Sequence, residues 1–103
     1  MYKLEEIGKK IKPIVEKYNV PKVWIFGSYA RGEADESSDI DLAINYEESN
    51  AKGLRFISLE RELSELLGIE VQLLTEHEAL SKRKYSTFPL EFMKDRKVIY
   101  ERK

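Results

Sequence analysis

Two aspartates at alternate positions are the side chains of this sequence best suited to chemistry. Asp39 and Asp41 stand in the segment Asp-Ile-Asp-Leu, where the alternation of a strand would send both carboxylates from the same face. Their Cα atoms would then lie about 6–7 Å apart, close enough for both to reach one cation. Mg²⁺ prefers oxygen ligands and is usually held by one or two carboxylates together with substrate phosphates. The spacing favours a magnesium site, and the alternative is a pair of solvent-facing acids on a half-buried strand.

A glycine–serine pair upstream could bind the phosphates. Gly27 and Ser28 directly follow the apolar segment Lys-Val-Trp-Ile-Phe, and glycine lets the chain turn sharply with no side chain in the way of a ligand. A helix that begins at Ser28 would point backbone N–H groups and its positive dipole end at phosphate oxygens. Arg31, one turn further on, either neutralises phosphate charge or pairs with an acid on the surface. Gly27, Ser28 and Arg31 are therefore the predicted nucleotide-binding residues.

Helices and strands must position these residues, and the hydrophobic pattern predicts them in alternation. Apolar residues at helical spacing mark two long helices, whereas β-branched runs and period-two alternation mark the strands. In chain order the predicted elements are a helix over 1–18, a strand over 22–26, a short helix over 28–31, a strand over 39–45, a helix over 54–67, a strand over 70–74, a helix that starts at a Thr75–Glu78 capping box, short helices around Pro89 and a strand near 98–100. This alternation predicts an α/β fold, a mixed sheet packed against helices.

Several details of these elements can be predicted as well. Pro13 should bend or split the first helix, and Ser28 and Gly32 should cap the short helix at its two ends. Trp24 is expected in the core, as are alternate residues of the second strand: Ile40, Leu42 and Ile44. The buried side of the 54–67 helix should hold Phe56, Leu59, Leu63, Leu66 and Leu67.

Length and composition bound the remaining possibilities. With 103 residues, the chain is predicted to form one domain over residues 1–103. It has no cysteine and no long apolar run, which excludes a thiolate site and leaves no candidate membrane span or signal peptide. The cytoplasm is therefore the expected compartment. Charged residues reach 36%, with few amides, a usage in the direction of thermophilic proteins.

Charge is spread unevenly along the chain. From residue 33 to residue 50 there are seven acids and no Lys or Arg, and the formal net charge is −1, which argues against a nucleic-acid-binding surface. Lys82, Arg83 and Lys84 beside Tyr85 could contact RNA or an acidic partner, although a solvated basic face is the simpler interpretation. His77, the single histidine, is expected to be exposed at a helix start.

The combined pattern resembles the minimal nucleotidyltransferases of the DNA polymerase β superfamily. A Gly-Ser pair, ten intervening residues and an Asp-x-Asp strand carry the resemblance, which covers nearly the whole chain. The matching segments are Ala30-Arg31-Gly32, Ser38-Asp39-Ile40-Asp41-Leu42, Leu66-Leu67-Gly68 and the Thr75 that follows a strand. The resemblance implies a polymerase β palm-like fold and an enzyme that uses Mg²⁺ and a nucleoside triphosphate.

The resemblance also implies a role for each candidate residue. Gly27 and Ser28 would hold the β- and γ-phosphates, and Arg31 would add positive charge beside them. Asp39 and Asp41 would be the catalytic carboxylates that ligate the metal. An acceptor hydroxyl would attack the α-phosphorus, and pyrophosphate would leave.

One position departs from the family pattern. Active members have a third carboxylate on the next strand, in a Val-Asp-Leu-Val-like setting, and the matching residue here is Gln72 in Val-Gln-Leu-Leu. An amide can ligate weakly, but it brings no charge and cannot act as a general base. Glu70 lies on the same predicted strand face and would have to span about 6–7 Å along the strand to substitute.

Two functions follow from the resemblance, and the sequence leaves both open. In the first, the protein is an antitoxin that moves AMP from ATP to a hydroxyl of a HEPN-domain ribonuclease toxin. In the second, Gln72 makes it a non-enzymatic antitoxin that binds Mg-NTP, or only keeps the fold, and acts by complex formation. The implied partners are a nucleoside triphosphate and a HEPN toxin, and exposed sheet edges make a homodimer conceivable.

Overall fold

The computed structural model describes residues 1–81 and 87–102, which contain five helices and four strands. In chain order the elements are α1 (Leu4–Lys17), β1 (Lys22–Phe26), α2 (Gly27–Arg31), β2 (Ile40–Ile44), α3 (Leu54–Leu67), β3 (Val71–Thr75), α4 (Glu76–Leu80), α5 (Phe88–Asp95) and β4 (Lys97–Glu101). The predicted α/β class is confirmed.

The four strands form one mixed sheet in the order β3-β2-β1-β4. β1 is antiparallel to both β2 and β4, whereas β2 and β3 are parallel and joined through α3, as a parallel crossover requires. The antiparallel pairing places Phe26, at the end of β1, opposite Asp41 near the start of β2. The parallel pairing places Gln72 on the other side of Asp41. The two strand pairings therefore place both the end of β1 and Gln72, the position predicted for a third carboxylate, next to Asp41.

The two faces of the sheet pack against different helices. Alternate residues of β2 join α1 and α3 in the main core, which includes Ile40, Leu42, Ile44, Ile7, Ile11, Val15, Leu59, Leu63 and Leu67. On the opposite face Trp24, Phe26 and Ala43 pack with Ala79 and Phe92, from α4 and α5. The predictions for β2 and for Trp24 are thus confirmed, and Asp41 shares its face of the sheet with the smaller cluster.

Pro13 does not split α1, which runs as one helix from Leu4 to Lys17. A proline inside a helix removes one hydrogen bond and frees the carbonyl four residues earlier, here that of Lys9. Both Pro13 and Lys9 are exposed, so water can bond the freed carbonyl. The prediction of a split helix is therefore wrong because the defect lies on the solvent side.

Two predictions about helix positions need correction. α2 begins at Gly27, with Phe26 at the capping position and no side-chain cap, so Ser28 lies inside the helix. Gly27 itself makes the turn, with φ of 74°, and no hydroxyl cap is needed. Leu66 is 38% exposed, because Leu63 and Leu67, one turn apart, already fill the buried stripe of α3.

Other boundaries agree closely with the sequence. Gly32 closes α2 in the left-handed conformation, as predicted. β3 runs from Val71 to Thr75, one residue later than expected. Thr75 ends this strand and also caps α4, in the predicted capping box with Glu78.

Side chains of α3 accept hydrogen bonds from backbone N–H groups at the free edge of β3. The Val71 N–H donates to the Ser64 hydroxyl at 3.0 Å, and the Leu73 N–H donates to the Glu60 carboxylate at 2.9 Å. These are donors that a strand added from another molecule would need. Strand addition at β3 would therefore have to displace both side chains, which disfavours a homodimer through this edge.

At the opposite edge, α1 packs closely on β4. The register between β1 and β4 shifts at Ile99, because Val23 pairs with Tyr100 whereas Trp24 pairs with Val98. The Ile99 carbonyl lies against Gly8, where an added Cβ would come within 2.4 Å of the oxygen. Only glycine permits this approach of α1 to the bulged strand.

Replacing Gly8 by Ala is expected to destabilise the protein by about 1–3 kcal/mol, because the methyl group would press against the Ile99 carbonyl. Helix propensity alone predicts the opposite sign, a gain of about 1 kcal/mol. The urea midpoint of unfolding measures the effect, and Lys9→Ala, at the exposed neighbouring position, is the control and should change stability little. A higher midpoint for Gly8→Ala would contradict the contact.

Candidate active site

The candidate site lies where β1 ends and β2 begins. Gly27 follows Phe26 directly and turns the chain under the side chain of Asp41, the strand partner of Phe26. A Cβ on Gly27 would stand 2.3 Å from Oδ2 of Asp41. Glycine is therefore required twice, once for its positive φ and once for the space that the carboxylate occupies.

The pKa of the Asp41 carboxyl is high for an aspartate. Burial, and then the nearby Asp39 charge, raise the pKa of the Asp41 carboxyl to about 6, while the Arg31 charge acts in the opposite direction. Two half-buried carboxylates therefore stand close together with too little positive charge beside them. Binding a cation would relieve this repulsion and favour the ionised form of Asp41.

A cavity of about 180 Å³ opens beside Asp41. Its walls come from the end of β1, from α2 and β2, and from one face of α5, namely Phe26, Gly27, Arg31, Asp41, Phe88, Glu91, Phe92 and Asp95. Ser28 and Asp39 are half-buried neighbours that do not line it. The structure thus brings the predicted residues together at one end of the central strands β1 and β2. Three of them, Gly27, Arg31 and Asp41, line the cavity.

Arg31 both lines this cavity and pairs with acids. Its Nε donates to Glu33 at 2.9 Å and its Nη1 donates to Asp95 at 3.0 Å. Donating these hydrogen bonds to Glu33 and Asp95 raises the pKa of the guanidinium, which is charged at neutral pH in any case. The two roles considered for Arg31 in the sequence are therefore compatible.

The sequence did not single out the acids of α5. Glu91 and Asp95 are four residues apart and so share one helix face, the face that also carries Phe88 and Phe92 into the cavity. This amphipathic spacing is the sequence feature from which one common helix face for these side chains could have been predicted. It did not indicate that α5 would pack at the end of β1.

Gln72 occupies the position predicted for a third carboxylate. It pairs directly with Asp41 in the parallel register, and its amide donates to Glu70 in a long contact of 3.4 Å. Over residues 1–81 and 87–102, no group of three or more Asp, Glu, His or Cys side chains is placed to hold a metal ion. Glu70 therefore does not complete a three-carboxylate set.

The donors that are present nevertheless fit a magnesium ion. Asp39 and Asp41 offer two hard oxygen ligands, the set usual for Mg²⁺ when substrate phosphates complete its coordination. Gly27 keeps the approach to Asp41 free of a side chain. The fit is to a metal–phosphate complex, because two carboxylates alone leave most of an octahedron to other ligands.

Two other features of the sequence lie elsewhere. His77 is exposed in α4 and lines a wider, open groove with Tyr46, Lys52, Phe56 and Thr75. This groove is at the other end of β2, and Glu47 and Glu78 also line it. The basic segment from Lys82 to Lys84, with Tyr85, lies outside the described residues.

Sequence relatives of this chain are named as adenylyltransferases. Protein adenylyltransferase MntA of Thermococcus cleftensis is 43% identical over 77 residues, spanning 71% of this chain and 77% of that protein. MJ1217 of Methanocaldococcus jannaschii, named provisionally as a protein adenylyltransferase, is 51% identical over 75 residues, spanning 72% and 76% of the two chains.

Solved structures share the fold. A toxin–antitoxin crystal structure with AMP-PNP matches 91% of this chain and 73% of its own at a TM-score of 0.71 and 22% identity. An MNT antitoxin in complex with the tri-AMPylated HEPN toxin of Shewanella oneidensis matches 95% and 72% at a TM-score of 0.62 and 19% identity. A structure provisionally described as a minimal nucleotidyltransferase matches 93% and 95% at a TM-score of 0.68 and 25% identity.

Among the described residues no helix combines the length and apolar character that crossing a membrane requires.

Family membership follows from the extent of these matches. The family described as "Polymerase beta, Nucleotidyltransferase" matches residues 9–103, a span that includes every residue of the candidate site. The chain belongs to the polymerase β nucleotidyltransferase family.

Proposed function

We propose that this protein is an adenylyltransferase antitoxin, which moves AMP from ATP to a hydroxyl of a HEPN-domain toxin. The observation that carries the proposal is the turn at Gly27 beneath the Asp41 carboxylate, in a chain that belongs to the nucleotidyltransferase family. The names of its relatives, protein adenylyltransferases at 43% and 51% identity, support AMP as the transferred group. A fold shared with an antitoxin bound to a HEPN toxin supports the class of acceptor.

The chain's residues would act mainly by binding and orienting the nucleotide. The backbone N–H groups of the turn at Gly27 and Ser28, with the Ser28 hydroxyl, would hold the β- and γ-phosphates, and Arg31 would add charge at the cavity wall. Asp39 and Asp41 would hold Mg²⁺. When bound, the ion would neutralise phosphate charge and polarise the reacting phosphoryl group.

The chemistry is a phosphoryl-group displacement. The acceptor oxygen forms a bond to the α-phosphorus, the bond from that phosphorus to the bridging oxygen breaks, and pyrophosphate leaves with the electron pair. Gln72 cannot take the proton of the acceptor hydroxyl, because an amide has no basic site near neutral pH, so this proton would pass to water or to the departing pyrophosphate. Orientation of the acceptor by the partner protein therefore has to contribute more here than in a site with a third carboxylate. The cytoplasm, which supplies ATP, remains the proposed compartment.

Label transfer tests the proposal directly. Purified protein is incubated with Mg²⁺ and a HEPN-domain toxin, with ATP labelled at either the α- or the γ-phosphorus. We expect label on the partner only from the α-phosphorus, and none when the metal is chelated. Absence of label with an active partner and saturating ATP would overturn the transferase.

A non-enzymatic antitoxin is the second candidate, and Gln72 is the observation that favours it. Such a protein would bind its toxin stably and block it without modifying it. Co-purification of an unlabelled complex, with the ribonuclease inhibited in the absence of ATP, would identify this function.

Restoring the missing acid tests the role of position 72. Gln72→Asp places a carboxylate beside Asp41, and we expect transfer to rise by about tenfold or more, as a positioned general base allows. The rate of AMP transfer at saturating ATP is the measurement. Glu70→Gln is the control and should leave the rate near that of the native chain, because Glu70 belongs to no three-carboxylate cluster among the described residues. A variant no faster than the native protein would contradict the role of this position.

A further inference from the structure

Asp95 occupies a position that its own helix disfavours. It is the last residue of α5, where the negative end of the helix dipole opposes a carboxylate. Its side chain is only 16% exposed, and it accepts a hydrogen bond from Nη1 of Arg31 at 3.0 Å. The Arg31 charge thus offsets both the burial and the dipole, and ties the end of α5 to α2.

The two acids that pair with Arg31 differ in how firmly they can fix the position of its guanidinium. Glu33 is two residues away along the chain, and its side chain is 65% exposed, so water screens and competes for that pair. Asp95 comes from a different element and is mostly buried. Of the two, Asp95 is the rigid point that can fix where the guanidinium lies.

We propose that Asp95 is a positioning residue that holds the Arg31 guanidinium at the cavity wall beside Gly27 and Asp41, ready for the triphosphate. The inference rests on the proposed function of this site. Arginine carries five N–H donors, and the hydrogen bonds of Arg31 to Glu33 and Asp95, within residues 1–81 and 87–102, engage Nε and Nη1. The remaining donors can then meet phosphate oxygens with little further loss of side-chain freedom.

The sign of the effect distinguishes positioning from simple electrostatics. ATP is an anion, and removing a carboxylate near its site should strengthen binding if Asp95 acts only by its charge. A positioning role predicts the opposite, because a freed Arg31 must lose rotamer entropy when the nucleotide binds.

Calorimetry of ATP binding provides the test, measured once with a metal chelator present and once with Mg²⁺. We expect Asp95→Asn to weaken ATP binding about tenfold in both conditions, consistent with the side-chain entropy of arginine. Glu33→Gln removes the same charge from the same guanidinium and should bind ATP as well as the native chain or better. Asp95→Glu should recover part of the loss. In transfer assays Asp95→Asn should raise KM for ATP and leave kcat within about twofold, since positioning of the phosphates is lost before chemistry.

A double-mutant cycle with Arg31→Gln completes the experiment. If Asp95 acts through Arg31, Asp95→Asn has no further effect once Arg31 is gone. Unchanged or tighter ATP binding by Asp95→Asn, or additive losses in the cycle, would overturn the inference while leaving the proposed function intact. Failure of the native protein to bind ATP at all would overturn both. Circular dichroism confirms folding, and Asp95→Ser repeats the comparison if the asparagine variant unfolds.

Discussion

Asp41→Asn is expected to abolish AMP transfer and, at the same time, to make the metal-free protein more stable. The amide keeps the shape of the side chain but loses the charge that would hold the metal. Loss of a metal ligand removes several kcal/mol of transition-state stabilisation, so we expect the rate to fall by about 100-fold or more. ATP binding that depends on Mg²⁺ should be lost with it.

The gain in stability follows from the raised pKa of Asp41. Its folded-state value of about 6 lies above the ordinary 3.8, so the folded protein prefers the protonated acid. The stability that the proton contributes is present below pH 4 and is lost as the pH rises through 6. At pH 7 the ionised carboxylate costs on the order of 1–2 kcal/mol, after allowance for its exposed part. The asparagine variant avoids this cost.

Thermal unfolding of the metal-free proteins between pH 4 and pH 8 checks the prediction. The melting temperature of Asp41→Asn should exceed that of the native chain by several degrees at pH 7, at about 4–8 °C per kcal/mol for a domain of this size. The difference should vanish near pH 4, where both side chains are neutral.

Asp35→Asn is the matched control, an identical change in the loop between α2 and β2. Hydrogen bonds from the Ser37 side chain and backbone, and from Ser38, lower the pKa of the Asp35 carboxyl, the opposite direction to Asp41. That substitution should not stabilise the protein at pH 7 and should leave Mg-ATP binding intact. Equal stabilisation by both variants would mean that net charge, not the site, sets the effect.

The part of the site that lies along single strands could be predicted from the sequence. Alternation in β2 correctly separated Asp41 from Leu42, because one face of that strand is buried against α1 and α3 and a shift of one residue would expose it. The position of the third carboxylate is assigned to Gln72 through the family resemblance, and the structure pairs Gln72 with Asp41. The alternation in β2, by contrast, depends on a period of two residues, which the sequence displays directly.

What the sequence could not provide are contacts between elements distant along the chain. The pairing of Arg31 with Asp95 spans 64 residues, and nothing in the local pattern of either helix encodes it. Glu60, whose carboxylate accepts the Leu73 N–H, is only 13 residues from its partner, but the local pattern does not encode that contact either. In each case a polar side chain on a helix meets a group that the tertiary fold delivers, so composition and periodicity cannot identify the partner.

Local chemistry was misjudged where one residue performs two tasks. The sequence predicts a glycine turn at Gly27 together with a Ser28 cap, but the structure shows the turn, at a φ of 74°, and no side-chain cap. A glycine turn can begin a helix without such a cap. Gly27 also leaves free the space that the Asp41 carboxylate occupies and that a Cβ would fill.

Gly27→Ala should therefore lose Mg-ATP binding at a modest cost in stability. Two effects combine in this variant. Alanine in the left-handed region costs about 1–2 kcal/mol, and its methyl group would displace Oδ2 of Asp41, from which the Cβ would otherwise stand only 2.3 Å. The carboxylate is the end of a short side chain and can rotate away, so the fold survives while the metal-binding arrangement does not.

Gly32→Ala isolates the second effect, because the two glycines share one backbone conformation. Gly32 has a φ of 73°, but no atom lies within 4 Å of the position that its Cβ would take. Both variants should lose similar stability in urea unfolding, and only Gly27→Ala should fail to bind Mg-ATP by calorimetry. Equal binding by the two variants would show that the Asp41 carboxylate does not need its place above Gly27, and the proposed metal–triphosphate site could not then be built on that contact.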